Sequence, residues 1–333
     1  MASIKDVAKL AGVGIGTASR ALSGNGYVAP ATRKKIEDAA RQLDYTPNVL
    51  AQNLLKNRSG IIGVLIPSLD HYFFSELAQR LESDLYKKGY KTMICCTKNQ
   101  ENGEQDYLDM LENNLVDGII TATHSFNDQA YTDSKRVIVS FDRDFKGRIP
   151  MVCSDHEKAG RMAAVHFVES GCKKVLSIYG KDTIGGHIST GKAHQVLKEE
   201  LEKAGISVTE VCTEAGIFDM EACRRTAGEC LEKYPEADGV FASDSFCVPF
   251  LFQAAGMAIA VPEKLKLITY DATDITRTVH PRLSGVGQRI EEISQILTET
   301  LIKTVTFSPS FLPQVPGNFC YLIYFFGKSR TIL

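Results

Sequence analysis

The feature that most constrains the fold is an alternation of short apolar segments with helix-length amphipathic segments between residues 61 and 271. Apolar runs such as IIGVLIP and KVLSIYG alternate with segments such as HEKAGRMAAVHFVESG. Continuous apolar strands between helices are typical of parallel sheets that helices cover on both faces. The series restarts after MVCSD, so the sequence predicts two similar α/β lobes.

The N-terminal 46 residues have a different pattern, that of three short helices. IKDVAKLAG places Ile4, Val7, Ala8 and Ala11 on one face and ends at Gly12. GTASRALSG follows after a few residues, and PATRKKIEDAARQLDY forms the third segment. A helix, a tight turn, a second helix and a third helix are the pattern of a helix-turn-helix unit.

Charge is distributed unevenly along the chain. Residues 1–58 carry nine Lys/Arg and four Asp/Glu, a net charge of +5, while the whole chain carries −2 and the remainder therefore −7. A basic head on an acidic body suggests that the head meets a polyanion. The alternative is an ordinary solvated charged face, and charge alone does not decide between the two.

The glycines in AGVGIGTASRAL raise the question of a nucleotide-binding loop. Such a loop needs G-x-G-x-x-G directly after a strand. The third position is Thr17 when counted from Gly12 and Ser19 when counted from Gly14, and the preceding segment is a helix. The stretch instead predicts the turn and second helix of a DNA-binding unit, with Gly12 at a positive φ and Gly14 at the helix N-cap.

Several short motifs stand at fixed spacing along the chain. In the first 67 residues they are DVAKLAGV, T-x-S-R, V-x-x-x-TR, L-x-Y-x-PN, A-Q-x-L and IGV-x-IP. Further along they are FFSELAQRLE, DGII, FDRD, DHEKAGRMAA, ADGVFASD, VPEKLKLITYD, PRLSGVGQ and GKSRT. With these motifs the chain resembles the lactose/galactose repressor (LacI/GalR) family over essentially its whole length.

The resemblance implies an α/β fold class with a small all-helical helix-turn-helix DNA-binding head and a two-lobed, periplasmic-binding-protein-like body of parallel sheets. The expected domains are the head at 1–46, a hinge helix and linker at 47–59, and an effector-binding and dimerisation domain at 60–333. The expected lobes of the body are an N-lobe at about 60–158 and 290–318 and a C-lobe at about 159–289 and 319–333.

The resemblance also assigns DNA contacts, for a dimer on a near-palindromic operator. It gives the base-reading role to Ile15, Gly16 and Arg20. The residues expected beside them on phosphates and flanks are Thr17, Ser19, Asn25 and Thr32. The start of the recognition helix departs from the family, which usually has a serine and then larger side chains where this chain has Gly14 and Gly16. We therefore expect weaker discrimination at one base position, or contact of Ile15 with a thymine methyl.

The segment after Pro47 resembles the hinge helix of the family. Two such helices, one per subunit, would enter the minor groove together, and the residues expected there are Asn48, Ala51 and Leu54. Leu54 matches a leucine wedge, which unstacks the central base step and bends the duplex. The simpler interpretation is that Leu54 is an apolar linker residue.

A small-molecule site is implied in the cleft between the lobes, beyond the C-terminal ends of the strands. The residues expected to line it are His71, Phe73, Phe74 and Arg143 from the first lobe and Thr190, His194, Phe218, Asp244 and Asp271 from the second. Aromatic faces suit the apolar sides of sugars or bases, and carboxylates accept hydroxyl hydrogen bonds. The simpler interpretation is that the phenylalanines are core residues and the aspartates cap the following helices.

The cleft also departs from the family, which often has an arginine before or within the GKAHQVLKEEL segment. No arginine lies in residues 180–205, where the nearest basic side chains are His187, Lys192 and His194. A histidine binds an anion weakly above its pKa of about 6.5. A neutral sugar or polyol therefore suits this site better than a carboxylate or a phosphate.

Several protein classes are disfavoured by the sequence. MASIKDVAKLAG lacks the pattern of a signal peptide, and no apolar run is long enough to span a bilayer, so we expect a cytoplasmic protein. The nine cysteines form no C-x-x-C pair and are interpreted as buried hydrophobes or free thiols. No H-E-x-x-H, G-x-S-x-G or P-loop is present, and SDHE at 154–157 predicts a helix start. We therefore expect no catalytic site, no metal and no cofactor.

The function predicted is a ligand-responsive, sequence-specific DNA-binding regulator, a repressor of sugar catabolic genes whose effector changes operator affinity through the hinge helices. The partners predicted are double-stranded operator DNA, a sugar or related polyol, and a second copy in a homodimer, without a membrane. One alternative is a sugar-binding protein without a regulatory role, which would need a signal peptide and no basic head. The other is an enzyme on the same lobes, which the missing catalytic motifs disfavour.

Overall fold

The computed structural model describes residues 2–24, 26–46, 58–98, 103–123, 128–181, 189–213 and 218–306, together with the backbone of two strands at 320–323 and 326–328. The chain divides into two compact units, Met1–Ser59 and Gly60–Leu333. Each unit has a hydrophobic core of its own. Among the described helices, none has the length and apolar composition that crossing a membrane requires.

The first unit contains three helices that all contact one another, α1 (Ile4–Ala11), α2 (Ile15–Ser23) and α3 (Pro30–Gln42). The side chains between them are small or branched; they are Val7, Ala8, Ala18, Ala21, Val28, Ile36, Ala39 and Ala40. Gly12 ends α1 with φ +68°, and Gly14 is the N-cap of α2 with φ −70° and ψ 150°. The helix-turn-helix interpretation of the three glycines is therefore confirmed.

The second unit contains two six-stranded sheets. The strands of the first sheet are β1 (Ile61–Ile66), β2 (Lys91–Cys96), β3 (Gly118–Thr121), β4 (Ile138–Phe141), β5 (Met151–Ser154) and β11 (Cys320–Ile323). Those of the second are β6 (Lys174–Gly180), β7 (Ser207–Thr213), β8 (Gly239–Ser243), β9 (Lys266–Asp271), β10 (Ser284–Gly287) and β12 (Phe326–Lys328). The spatial orders are β11-β5-β4-β3-β1-β2 and β12-β10-β9-β8-β6-β7. All neighbours are parallel except β10 and β12, so the predicted fold class is confirmed.

Helices accompany each sheet, as the alternation predicts. The first lobe has α4 (Tyr72–Lys87), α5 (Gly103–Glu112), α6 (Asp128–Asp133) and α12 (Ile290–Thr306). The second lobe has α7 (His156–Glu169), α8 (Gly191–Lys203), α9 (Met220–Lys233), α10 (Asp244–Gly256) and α11 (Ile275–Thr278). Helix α8 packs closely on α7 because Gly160 has no side chain, and a Cβ there would lie 2.4 Å from the Ala193 carbonyl oxygen. This contact fixes the helix that carries His194.

The C-terminal strands correct one sequence-based expectation. β11 at 320–323 pairs with β5 in the first sheet, while β12 at 326–328 pairs with β10 in the second. The prediction that residues 319–333 all lie in the second lobe is therefore wrong for β11. Both strands fall within the apolar run CYLIYFFGK, in which no polar turn marks a crossing between the lobes.

Candidate functional site

The face of the head predicted to contact DNA is open to solvent at the start of α2. Ile15 is 48% exposed, Gly16 and Arg20 are exposed, and Thr17 and Ser19 are partly buried. Thr32, in the first turn of α3, is also partly buried. Four other predicted DNA contacts lie outside the described residues; they are Asn25, Asn48, Ala51 and Leu54.

Arg20 lies between two glycines. Its Nη1 is 3.8 Å from where a Cβ would stand on Gly16, and its Cδ is 3.1 Å from where one would stand on Gly26. Its Nη2 donates to Thr17 Oγ1 at 3.4 Å. A guanidinium on an open helix face is the group that contacts phosphates or the major-groove edge of guanine, so the arrangement suits DNA binding.

Arg33 fixes this helix and was not singled out as a site residue in the sequence. Its Nη1 donates to the carbonyl oxygen of Ala21 at 2.5 Å, from α3 to the last turn of α2. The carbonyls of a last turn have no partner within the helix, so a cation that binds one of them stabilises the helix end. The signal was present in the V-x-x-x-TR motif, where the arginine follows Thr32.

The second unit has a cleft between the two lobes, with a cavity volume of about 560 Å³ including the part open to solvent. Its lining residues are His71, Phe73, Phe74, Phe141, Asp142, Ile178, Tyr179, Thr190, His194, Ser243, Tyr270, Asp271 and Gln288. Six of the residues predicted from the sequence are among them; these are His71, Phe73, Phe74, Thr190, His194 and Asp271.

Aromatic rings form one wall of this cleft. The Phe73 ring is stacked on that of Phe141 with centroids 5.5 Å apart and meets Phe74 edge-on at 5.3 Å. Phe218, from the second lobe, packs against Phe74 at 5.8 Å and is buried with the core of the first lobe. Phe218 thus lies beside the cleft wall and also contributes to the core. The structure is compatible with a ligand contact and with the simpler interpretation of Phe218 as a core residue. Aromatic faces of this kind bind the apolar face of a flat ligand.

The two cleft histidines are buried and neutral at physiological pH. Burial lowers the pKa of His71 and that of His194 from the usual 6.5 to about 4 in each case. His194 Nδ1 lies 2.8 Å from Ser177 Oγ, while neither ring nitrogen of His71 has a hydrogen-bond partner among the described residues. A neutral imidazole offers one donor and one acceptor.

The two predicted aspartates have different surroundings. Asp271 ends β9 with a φ of +90° and accepts a hydrogen bond from Gln288 Nε2 at 2.7 Å. Burial, with the nearby Asp244, raises its pKa. Asp244 is fully buried, accepts from the backbone N and the hydroxyl of Thr273 at 2.7 and 2.5 Å, and does not line the cavity. Burial raises the pKa of Asp244 to about 6. Asp244 therefore fixes the loop after β9 through Oδ2, while its Oδ1 has no hydrogen-bond partner among the described residues. Its role in effector binding stays a prediction.

Arg143 does not lie where the sequence predicts it. Its guanidinium is buried in the first lobe over the rings of Tyr131 and Phe145, with its central carbon 4.9 and 4.6 Å from their centroids. Its Nη2 binds Asp128 at 2.9 Å, and its Nη1 binds Thr123 at 2.8 Å. Arg143 is not among the residues that line the cleft. The preceding residue, Asp142, lines it instead, because its φ of +56° turns the chain after β4.

A polar network that the sequence did not reveal connects the lobes at the back of the cleft. His156, the first residue of α7, places Nε2 2.8 Å from Asp142 Oδ1 and Nδ1 against the Tyr270 hydroxyl. Ser154 donates its hydroxyl to Gln288 Oε1 at 2.7 Å. The prediction that SDHE starts a helix is confirmed, since the Asp155 side chain caps α7. Among the described residues no cluster of side chains could hold a metal ion.

Two further hydrogen bonds join the lobes elsewhere. Lys98 Nζ, after β2, donates to the carbonyl oxygen of Phe218 at 2.6 Å. The backbone N of Asp274 donates to Glu76 Oε1 on α4 at 2.7 Å. Partial burial raises the pKa of Glu76. These contacts hold the lobes together in the conformation observed, and a change in lobe separation must break them.

Comparisons with known proteins agree with this architecture. Residues 3–48 match the family model "Bacterial regulatory proteins, lacI family", and residues 59–258 match "Periplasmic binding proteins and sugar binding domain of LacI family". The sucrose operon repressor of Streptococcus mutans is 35% identical over 92% of this chain and 93% of its own length. The ribose operon repressor of Halalkalibacterium halodurans is 30% identical over 93% of this chain and 92% of its own length.

Solved structures share the fold over nearly the whole chain. The lac repressor dimer bound to operator and the anti-inducer ONPF superposes with a TM-score of 0.81 and 19% identity, covering 97% of this chain and 96% of that one. A complex of the transcriptional regulator CelR with cellobiose has a TM-score of 0.67 and 21% identity, covering 98% of both chains. At these identities the likeness concerns the fold.

Proposed function

The chain belongs to the lacI family of bacterial regulatory proteins, and we propose that it is a sugar-responsive repressor that binds a near-palindromic operator as a homodimer in the cytoplasm. Its place in this family confirms that it is a DNA-binding regulator and not an enzyme, and it disfavours a sugar carrier without a regulatory role. The relatives are repressors of sucrose and ribose operons, so we infer control of genes for carbohydrate use.

The observation that carries the proposed effector is the composition of the cleft. It combines an aromatic wall of Phe73, Phe74 and Phe141 with the polar side chains of His71, Thr190 and Asp271. A concave site with apolar walls and a few convergent polar groups is typical of small-molecule binding, and this mixture suits a sugar. The proposed effector-binding residues are those that line the cleft, with Phe218 beside them; Arg143 is no longer among them.

Effector binding would act by favouring one separation of the lobes. A ligand shifts such an equilibrium only by its difference in affinity for the two states. The linker enters the body at Gly60, whose backbone N donates to Asp117 Oδ2 at 2.9 Å directly before β1. We infer that the linker follows the movement of the first lobe, and that the hinge segment containing Leu54 transmits it to DNA.

On DNA, we propose that Arg20 and Ile15 contact base edges and that Thr17, Ser19, Asn25 and Thr32 lie on phosphates and flanks. Leu54, with Asn48 and Ala51, would act in the minor groove of the central step. The open face around Arg20 supports this assignment, because a guanidinium and a branched apolar side chain are the groups that read guanine and the thymine methyl.

Selection of bound duplexes from random DNA with the purified full-length protein tests the proposal. We expect recovery of a near-palindrome with a fixed central step. A matched Arg20→Ala variant should lose the preference at one position in each half-site while retaining salt-sensitive binding. Recovery of no sequence preference with the wild-type protein would contradict sequence-specific repression.

A further inference from the structure

His71 is a polar residue of the cleft to which the protein supplies no hydrogen bond. It occupies the N-cap position of α4 with φ −81° and ψ 121°, yet its side chain forms no bond to that helix. It is 3% exposed, and neither Nδ1 nor Nε2 has a hydrogen-bond partner in the described parts of the chain. A buried polar group without a partner destabilises a protein, so a phenylalanine would serve this position better if packing were its only role.

The ring of His71 is held in place by its neighbours. It lies 5.3 Å from the ring of Phe74 in the first lobe and 5.5 Å from that of Phe218 in the second. Burial keeps the pKa of His71 at about 4, so the ring is neutral at pH 7. It therefore presents one N–H donor and one nitrogen acceptor, which together match the donor and acceptor capacity of sugar hydroxyls.

The described lining of the cleft offers no cationic side chain to an anionic ligand. It includes the carboxyl groups of Asp142 and Asp271 and the neutral His71 and His194, but no lysine or arginine. The sequence also has no lysine or arginine in the segments outside the described part at 99–102, 124–127, 182–188 and 214–217.

Two cations close to residues of the cleft lining are already engaged. Arg143 binds Asp128 within the first lobe, and Lys98 binds the Phe218 carbonyl. A phosphate group in the cleft would thus lose its water beside carboxyl groups without gaining a cation, which is unfavourable.

On the basis of the proposed function, we propose that His71 is a specificity-determining residue of the cleft whose two unpartnered nitrogens bind sugar hydroxyls. The cleft, which has no lysine or arginine among its described lining residues, then selects an uncharged sugar over the phosphate ester of the same sugar. Because neither ring nitrogen of His71 has a partner within the described protein, its hydrogen bonds are available to the ligand. A ligand without hydroxyls at this place leaves both nitrogens unpaired, and selectivity of this kind is strong because a buried polar group is then unsatisfied.

The test measures binding of four pairs of ligands to the full chain by calorimetry. The free sugars are sucrose, D-ribose, D-fructose and D-glucose, and each is compared with its phosphate ester, sucrose 6-phosphate, ribose 5-phosphate, fructose 6-phosphate or glucose 6-phosphate. We expect at least one free sugar to bind, and its ester to bind at least about 100-fold more weakly, as unpaired buried charge implies.

Variants at position 71 separate a ligand contact from a packing role. His71→Phe should weaken binding of the free sugar by about 10- to 100-fold, the loss of two hydrogen bonds, and should raise the Tm without ligand by about 2–4 °C. His71→Gln keeps a donor and an acceptor and should recover part of the affinity. His166→Phe is the matched control, since His166 lies on α7 outside the cleft lining. It should leave sugar affinity unchanged.

Three outcomes overturn the inference. They are an ester that binds as tightly as the free sugar, a His71→Phe protein with wild-type sugar affinity, and a panel in which no free sugar binds. If any of these occurs while selected operator DNA is still bound, this inference fails and repression stands. If specific operator binding is absent as well, the proposed function fails with it.

Discussion

Nε2 of His156 lies 2.8 Å from Oδ1 of Asp142, and the two residues belong to different lobes. Both are buried, at 3% and 4% exposure, and the same imidazole contacts the Tyr270 hydroxyl through Nδ1. The hydrogen bond therefore holds the lobes at the point where the chain passes from β5 to α7. It connects Asp142, which lines the cleft, to the segment between β5 and α7, about which the lobes would move.

Breaking this contact should loosen the lobes. His156→Phe keeps an aromatic ring but leaves the buried side chain of Asp142 without this partner, and such a loss costs about 1–3 kcal/mol. We expect a lower free energy of unfolding of the full chain and weaker sugar binding, both measurable by chemical denaturation and calorimetry. Ser170→Ala, at the partly buried C-cap of α7, is the control and should change neither. Wild-type stability in His156→Phe would show that the contact does not hold the lobes.

The buried histidines predict a specific dependence of stability on pH. The pKa of His71 is about 4 in the folded chain and about 6.5 when unfolded, so its contribution is fully present above pH 6.5. It is lost as the pH falls towards 4, because the unfolded chain binds the proton first. His194 acts in the same direction. Asp244, whose folded pKa is raised to about 6, acts in the opposite direction and offsets part of the loss.

The comparison of wild type with His71→Phe isolates one of these contributions. Between pH 7.5 and pH 5.0 the variant should lose about 2 kcal/mol less stability than the wild type. Denaturant unfolding at the two pH values measures the difference directly. An identical loss in both proteins would mean that His71 takes up a proton as readily in the folded chain as in the unfolded one.

Alanine substitutions at Gly16 and Gly12 should change the stability of the head in opposite directions. A Cβ on Gly16 meets only Arg20 Nη1, at 3.8 Å, so Gly16→Ala should stabilise the head by about 0.5–1 kcal/mol through helix propensity. Gly12 has a φ of +68°, which strains any other residue, so Gly12→Ala should destabilise it by a similar amount or more. Thermal unfolding of both variants checks this. Destabilisation by Gly16→Ala would show that the glycine has a packing role.

Asp271→Ala should remove the effector response and spare DNA binding. The carboxyl group lines the cleft, and its backbone φ of +90° is of the strained kind that is retained mainly at functional sites. Operator affinity without sugar should remain at the wild-type value, and calorimetry should show sugar binding weakened by at least about tenfold. A normal response to sugar in the variant would remove Asp271 from the site.

The fold was predictable from the sequence where a local pattern determines it. The apolar run IIGVLI is suited to burial on both faces, and it forms the interior strand β1, between β3 and β2. The turn before α2 was predictable because a left-handed φ such as that of Gly12 favours glycine. The C-terminal strands were not, because β11 and β12 lie close together in one apolar run and the sequence does not show that they join different sheets.

The cleft was predictable in part for the same reason. Asp271 is the last residue of β9, and its side chain lies at the end of a parallel sheet. Asp142 directly follows β4, and with its positive φ the chain places the side chain of Asp142, and not that of Arg143, in the cleft lining. The His156–Tyr270 contact depends on pairing between distant elements, so no local pattern indicates it.

The most direct measurement is the affinity of the full chain for its selected operator, with and without a saturating concentration of a sugar that calorimetry shows to bind. The proposed mechanism predicts that the sugar changes operator affinity by at least about tenfold, within the usual range of coupling between sites. It also predicts that Leu54→Ala weakens operator binding while its sugar affinity stays at the wild-type value. Equal operator affinity with and without the sugar would contradict the proposal that the cleft controls DNA binding.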